Sequence, residues 1–323
     1  MATDATDVSG DPRRLADRDT SLRDKYRRYK QLRFTDPEMA ALLLTPVLTY
    51  LFLISYYPII DTIWTSLHQG SVLPTQEETF VGLENYRSVV SSSSFWNAFI
   101  VTMIYTFVSV PIEMVIGLGL ALLVNRGFKG KYIAQAAILF PWALPTIINA
   151  RIWSWLFHGE YGVINDMLIR VGILESSYPF LSNPDIALAS MLFVTIWKTS
   201  SFVALILLAG LASIPENLYE AARIDGASKV KQFWYVTLPL LKPVILVALI
   251  FRTLPAFQAF GLPYGLTGGG PGESTTTLVL WAHQITFTRL EFGEGAAAAT
   301  IITVFAMVIC VVYVATLYEP EVR

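Results

Sequence analysis

Six stretches of this chain are apolar for about twenty residues or more, and nothing else limits its folding so strongly. A helix needs about 20 apolar residues to cross a hydrocarbon layer ~30 Å thick. The stretches run from about 39 to 67, 97 to 124, 132 to 157, 186 to 211, 240 to 261 and 296 to 317. With 54% hydrophobic and only 15% charged residues, the chain is far more apolar than a globular domain. It is therefore expected to be an all-α polytopic membrane protein with six transmembrane helices.

Charge sets the expected orientation. Residues 1–38 form a charged tail with nine basic side chains, of which Lys25 to Arg33 suit a basic helix on the membrane surface. The tail lacks the apolar run of a signal peptide. The domain 39–323 follows. Seventeen Lys and Arg flank the spans on one side: the tail, the loop 125–131, the segment 213–242 and Arg323. The other side has three: Arg87, Arg170 and Arg289. Basic flanks stay inside, so both termini and the 213–242 segment are expected in the cytoplasm.

Proline is frequent in the spans, at Pro46, Pro58, Pro111, Pro141, Pro145, Pro243 and Pro255. Each removes a backbone hydrogen bond and tends to kink its helix. Such irregular backbone survives at membrane depth where it is buried or lines a cavity.

Between the fourth and fifth stretches lies a polar island, 213–239, containing EAARIDGASKVKQFWYVTLP. Ser213 to Glu216 fits a capping box, with Pro215 in the first turn. Ile214, Leu218, Ala221 and Ala222 repeat with helical period. Gly226 can adopt the positive φ that ends a helix. A second short segment from Ser228 to Val236 puts Val230, Phe233 and Trp234 on one side, and Leu238-Pro239 closes it. The pattern predicts helix, sharp turn, helix, stop.

The spacing of Glu220-Ala221-Ala222, then Gly226, then Leu238-Pro239 resembles the EAA loop of binding-protein-dependent ABC importer permeases. Val236 stands where that pattern usually has Ile. The resemblance implies the type I importer permease fold, and a loop that inserts a coupling helix into a separate ATPase. It assigns that contact to Glu220, Ala221, Ala222 and Gly226, flanked by Arg223 and Asp225 and closed by Leu238 and Pro239. Further along, Phe80 to Tyr86, Phe140 to Pro145, Trp153 to Phe157, Gly162 to Asn165 and Leu266 to Pro271 are similar to the maltose-permease-like sugar branch. The chain is also similar to the trehalose-importer permeases of mycobacteria, which implies a disaccharide such as trehalose as cargo. The implied partners are a second permease subunit, two ATP-binding subunits, an extracytoplasmic sugar-binding protein and membrane lipid, with no nucleic acid. ATP and Mg would be bound by the ATPases, with no cofactor in this chain. The implied location is the cytoplasmic membrane of a bacterium.

Ionisable residues inside spans are costly and mark function. Here they are Glu113, Arg151, Lys198 and Arg252. A sugar offers hydroxyls to polar groups and C–H faces to aromatic rings, so Asn149, Trp153, Trp197, Lys198, Arg252 and Gln258 are candidate lining residues. The competing reading has the charges pairing with each other and the tryptophans anchoring at the interface. The stretch 265–295 reads either as a flexible solvated connection or, by the resemblance, as a face towards the sugar-binding protein.

The lone cysteine, Cys310, excludes a disulfide or a cysteine metal site within the chain. His68, His158 and His283 lack metal-ligand spacing. The glycine-rich 268–275 lacks the lysine of a phosphate loop, so ATP hydrolysis is expected elsewhere. Two other readings are an ion-coupled secondary transporter and a membrane enzyme using Glu113 and Arg151 on a lipid. Neither accounts for the polar island.

Overall fold

The computed structural model describes residues 36–69, 79–126 and 128–317. Most of the charged tail, with its basic stretch 25–33, and the terminal Arg323 lie outside the described residues. The chain divides into two units, Met1–Asp61 and Thr62–Arg323.

The first unit holds α1 (Asp36–Leu51), which passes through a π-helical turn, Phe52–Tyr56, into the first half of α2 (Tyr57–Ser66). Apolar side chains such as Leu44, Leu48 and Ile54 are exposed along it, as befits a helix that is hydrophobic all round. The wide turn lies just before Pro58. Proline lacks an N–H and crowds the carbonyl four residues back, and one extra residue in the turn relieves that clash.

The second unit takes in the end of α2 and then a short antiparallel pair, β1 (His68–Gln69) and β2 (Thr79–Phe80). Then come α3 (Glu84–Ser91), α4 (Ser93–Asn125), α5 (Lys131–Ala143), α6 (Thr146–Leu156) and α7 (Val163–Arg170). After these lie α8 (Pro184–Ala212), α9 (Glu216–Ile224), α10 (Lys229–Gln232), α11 (Leu238–Phe257) and α12 (Gly261–Leu266). Last are α13 (Leu278–His283) and α14 (Phe292–Leu317). Among the described residues five helical runs are long and apolar enough to cross a membrane, or six if α5 and α6 count as one bent span.

The long helices α4 and α8 form the centre of this unit. Gly117 of α4 lets them approach: a Cβ there would sit 2.5 Å from a methyl of Val203 on α8. Small residues at helix contacts replace the hydrophobic drive that lipid cannot supply. Around this pair lie three apolar clusters. One joins Phe95, Phe257 and Trp281, a second Tyr105, Ala150 and Met191, and a third Ala121, Leu207 and Leu241.

The third span is kinked, as its prolines lead one to expect: α5 and α6 meet at 92°, because Leu144-Pro145 breaks the helix where proline disfavours a helical predecessor. Three expectations are corrected. Ser213 does not cap α9. It ends α8, its Oγ donating to the Gly210 carbonyl at 2.8 Å, and Pro215 takes the N-cap position of α9 without a side-chain cap. Leu238-Pro239 is no stop either. A helical run continues from Lys229 to Phe257, with Phe233–Thr237 forming a π turn ahead of Pro239.

Nor is 265–295 a flexible solvated connection. Thr275, Thr276, Thr277, Leu278 and Trp281 are buried. The Thr276 Oγ1 donates to the Gly269 carbonyl at 2.9 Å, and Thr277 Oγ1 to that of Ala259 at 2.6 Å. The Leu278 amide donates to Thr102 Oγ1 on α4 at 2.8 Å. Hydroxyls satisfy turns that lack a regular ladder, which is what burying such backbone requires.

Candidate functional site

The polar island folds as a compact corner. Helix α9 ends in a Schellman arrangement: the Ala227 amide donates to Ala222 O at 2.8 Å and the Gly226 amide to Arg223 O at 3.1 Å. Gly226 adopts φ +75°, where a side chain would be strained. Beyond it, Ser228 Oγ accepts from the Lys231 amide at 3.4 Å and starts α10. Tyr219 of α9 and Thr237 share a hydroxyl hydrogen bond at 3.0 Å, tying the corner to the base of α11. The apolar side chains Ile224 and Val230 are 87% and 67% exposed on this corner. Glu220 and Arg223 face each other at 4.0 Å in solvent, a pair of little energetic weight.

A second feature lies among α4, α6, α8, α11 and α12. It is a cavity of about 560 Å³ lined by Lys198, Arg252 and Gln258, three of the six residues expected to line a pathway. Arg252 on α11 is fixed by Glu113 on α4: Nε donates to Oε2 at 2.7 Å and Nη2 to Oε1 at 3.3 Å. Both side chains are buried, so each charge is stabilised by the other. Lys198 on α8 reaches to the bend, where Nζ donates to Trp142 O at 3.0 Å and Leu144 O at 2.6 Å. Those carbonyls close α5, where a cation suits the negative end of the helix dipole.

The other three expected residues sit elsewhere. Trp153 packs against Phe157, Phe193 and Trp197 in an aromatic cluster. Trp197 borders a separate apolar groove with Ile112, Ile116 and Phe193. Adjacent helical residues point about 100° apart, so Trp197 and Lys198 cannot share a face. Asn149 is fully buried, and neither amide atom has a hydrogen-bond partner. Arg151 is exposed, so the Glu113–Arg151 pair of the enzyme reading does not form; the partner of Glu113 is Arg252.

Sequence reasoning missed Tyr105 and Thr195, joined at 2.6 Å across α4 and α8, and Phe260, which stacks on Tyr264 at 5.2 Å. A signal was present: Thr195, Lys198 and Thr199 lie at i, i+3 and i+4, a polar face on an apolar helix. Among the described residues no three His, Cys, Asp or Glu side chains gather as a metal would need.

Outside the spans, Arg170 is raised above its ordinary value by its hydrogen bond to Asp166. The Glu291 carboxyl is raised by burial, then by its hydrogen bond to Glu294 and that residue's charge.

Residues 113–323 match the family described as binding-protein-dependent transport system inner membrane component. The chain belongs to this family. It is thus a multi-pass inner-membrane permease subunit and not an enzyme, with ATP hydrolysis carried by a separate subunit. Curated relatives extend the match over nearly the whole chain. The sulfoquinovosyl glycerol transport system permease protein SmoG of Agrobacterium fabrum is 44% identical over 86% of this chain and 90% of its own length. The trehalose/maltose transport system permease protein MalF of Thermococcus litoralis is 41% identical over 88% and 95%. Among solved structures, a bacterial ABC transporter involved in import of the acidic polysaccharide alginate has a chain with TM-score 0.75. It is 22% identical over 91% of this chain and 96% of that one, and shares the fold. The expected importer permease fold is therefore the one adopted.

Proposed function

We propose that this permease forms half of the translocation pathway of an ATP-driven sugar importer, coupled through Glu220–Pro239 to a separate ATPase. The observation that carries this is the corner at Gly226, a hydrogen-bonded turn that presents Ile224 and Val230 to solvent. Exposed apolar side chains on a hydrogen-bonded polar corner suit a protein surface. Glu220, Ala221, Ala222 and Arg223 supply the approach, and Asp225 and Gly226 the turn. The excess of basic residues flanking the segment 213–242 and the charged tail supports a cytoplasmic position for both ends.

The assembly we infer has a second permease, two ATPase subunits that bind ATP and Mg, and an external binding protein. The cavity is the candidate cargo site. Its volume suits a small glycoside, its hydroxyl and amide groups suit sugar hydroxyls, and Phe260 offers a ring face. The names of the relatives, sulfoquinovosyl glycerol and trehalose/maltose, support cargo of about disaccharide size. Trehalose is the neutral case.

The test is purification from native membranes without overexpressed partners, followed by ATPase assay of the wild type and of Gly226→Pro. Recovery of an ATPase subunit, lost or uncoupled in the variant, is expected. A chain that purifies alone and moves solute on an ion gradient overturns the reading in favour of a secondary transporter.

A further inference from the structure

We propose that the central cavity selects a sugar carrying one anionic group, with Lys198 as the residue that recognises the charge. The inference rests on the cavity being the cargo site of a sugar permease and narrows the class of cargo.

The charge balance of the cavity carries it. Among the described residues two cations, Lys198 and Arg252, line the wall, and no Asp or Glu does. Arg252 is neutralised by Glu113 through two hydrogen bonds. Lys198 has no such partner among the described residues. Its ammonium has three donors, two of which go to neutral carbonyls of Trp142 and Leu144. Its positive charge therefore remains on the wall, 8% exposed, and a buried cation without an anion is unfavourable.

A second observation has the same sign. Helix α6 starts at the cavity, with Thr146 and Ile147 in the lining. Its N-cap, Pro145, offers no side-chain acceptor to the first-turn amides. The positive end of an eleven-residue helix thus adds to Lys198. A neutral sugar would leave Lys198 with only the carbonyl end of α5 and the α6 terminus with no counter-charge. A sulfonate, carboxylate or phosphate on the sugar would compensate them, while Tyr105, Thr195, Thr199 and Gln258 remain for the hydroxyls.

The experiment measures equilibrium binding to the assembled permease–ATPase complex in nanodiscs, with the external binding protein left out so that its own preference does not enter. The probes are methyl glucoside and trehalose, each against its counterpart with a carboxylate or sulfonate at C6. In the wild type the anionic member of at least one pair is expected to bind about tenfold tighter. That preference should fall below about threefold in Lys198→Gln and persist in Lys198→Arg. Because Lys198 also holds the bend, Thr199→Glu is the second variant; it adds a carboxylate to the wall and should erase the preference.

Equal or tighter binding of the neutral member by the wild type overturns the proposal and leaves the sugar reading intact. A preference unchanged in both Lys198→Gln and Thr199→Glu also overturns it. If a complex that retains its ATPase binds none of the probes, the sugar reading itself falls.

Discussion

Glu113 and Arg252, 139 positions apart in sequence, meet inside the protein through two hydrogen bonds of 2.7 and 3.3 Å. The pair joins α4 to α11 beside the cavity, so the helix that begins at the polar corner is anchored to the centre of the unit. Removing one partner leaves an unpaired buried charge, which typically costs about 3–5 kcal/mol. Glu113→Gln and Arg252→Met are each expected to lower the melting temperature in detergent strongly. The double variant Glu113→Leu/Arg252→Met should recover most of the loss. A double variant as unstable as the sum of the two would contradict this account.

Gly226 makes a different kind of demand. Nothing lies within 4 Å of where its Cβ would be, so only the backbone at φ +75° resists a side chain. Gly226→Asn should be tolerated, since Asn visits this region, whereas Gly226→Val is expected to cost about 1–2 kcal/mol locally. Hydrogen exchange at the Ala227 amide should be faster in Gly226→Val than in Gly226→Asn.

Lys198 holds the 92° angle between α5 and α6 by closing the end of α5. Spin labels at Tyr132 and Trp155, both exposed, report that angle as a distance. The distribution is expected to be narrow in the wild type and in Lys198→Arg. Lys198→Met, which keeps length and loses the donors, should broaden it.

The Glu291 carboxyl is raised in the folded protein, so the fold favours its protonated form. A raised value contributes stability below the ordinary range near 4.3 and loses it as pH rises through the raised value. The turn around it, where the Glu291 amide donates to Ile285 O and the Gly295 amide to Glu291 O, should loosen over that window. Exchange of these two amides, corrected for intrinsic rates, should quicken with rising pH. Glu294→Gln removes the neighbouring charge and should make the profile shallower, while burial keeps some of the dependence.

The spans and the glycine corner were legible in the sequence because each depends on local chemistry: unbroken apolar length, and a residue free to take positive φ. What failed was what depends on neighbours. Ser213 has the right residue type for an N-cap, but α8 runs up to it and takes its hydroxyl. Trp197 and Lys198 look equivalent in a linear reading, yet one faces an apolar groove and the other the cavity. The stretch 265–295 admits a loose reading because it is long and opens on glycines, and only the fold shows its threonine hydroxyls turned inward. The Glu113–Arg252 pairing was open as one of several combinations, since sequence does not fix helix rotation.

The helical run from Lys229 to Phe257 begins three residues after Gly226 and carries Arg252 near its far end. At 1.5 Å per residue, about 35 Å separate Lys229 from Arg252. Corner and cavity are therefore locked in phase like two cams on one shaft. Deleting a single residue between them would turn Arg252 by about 100°, away from Glu113, without altering either end. The length of this stretch is therefore as constrained as the identity of its end residues.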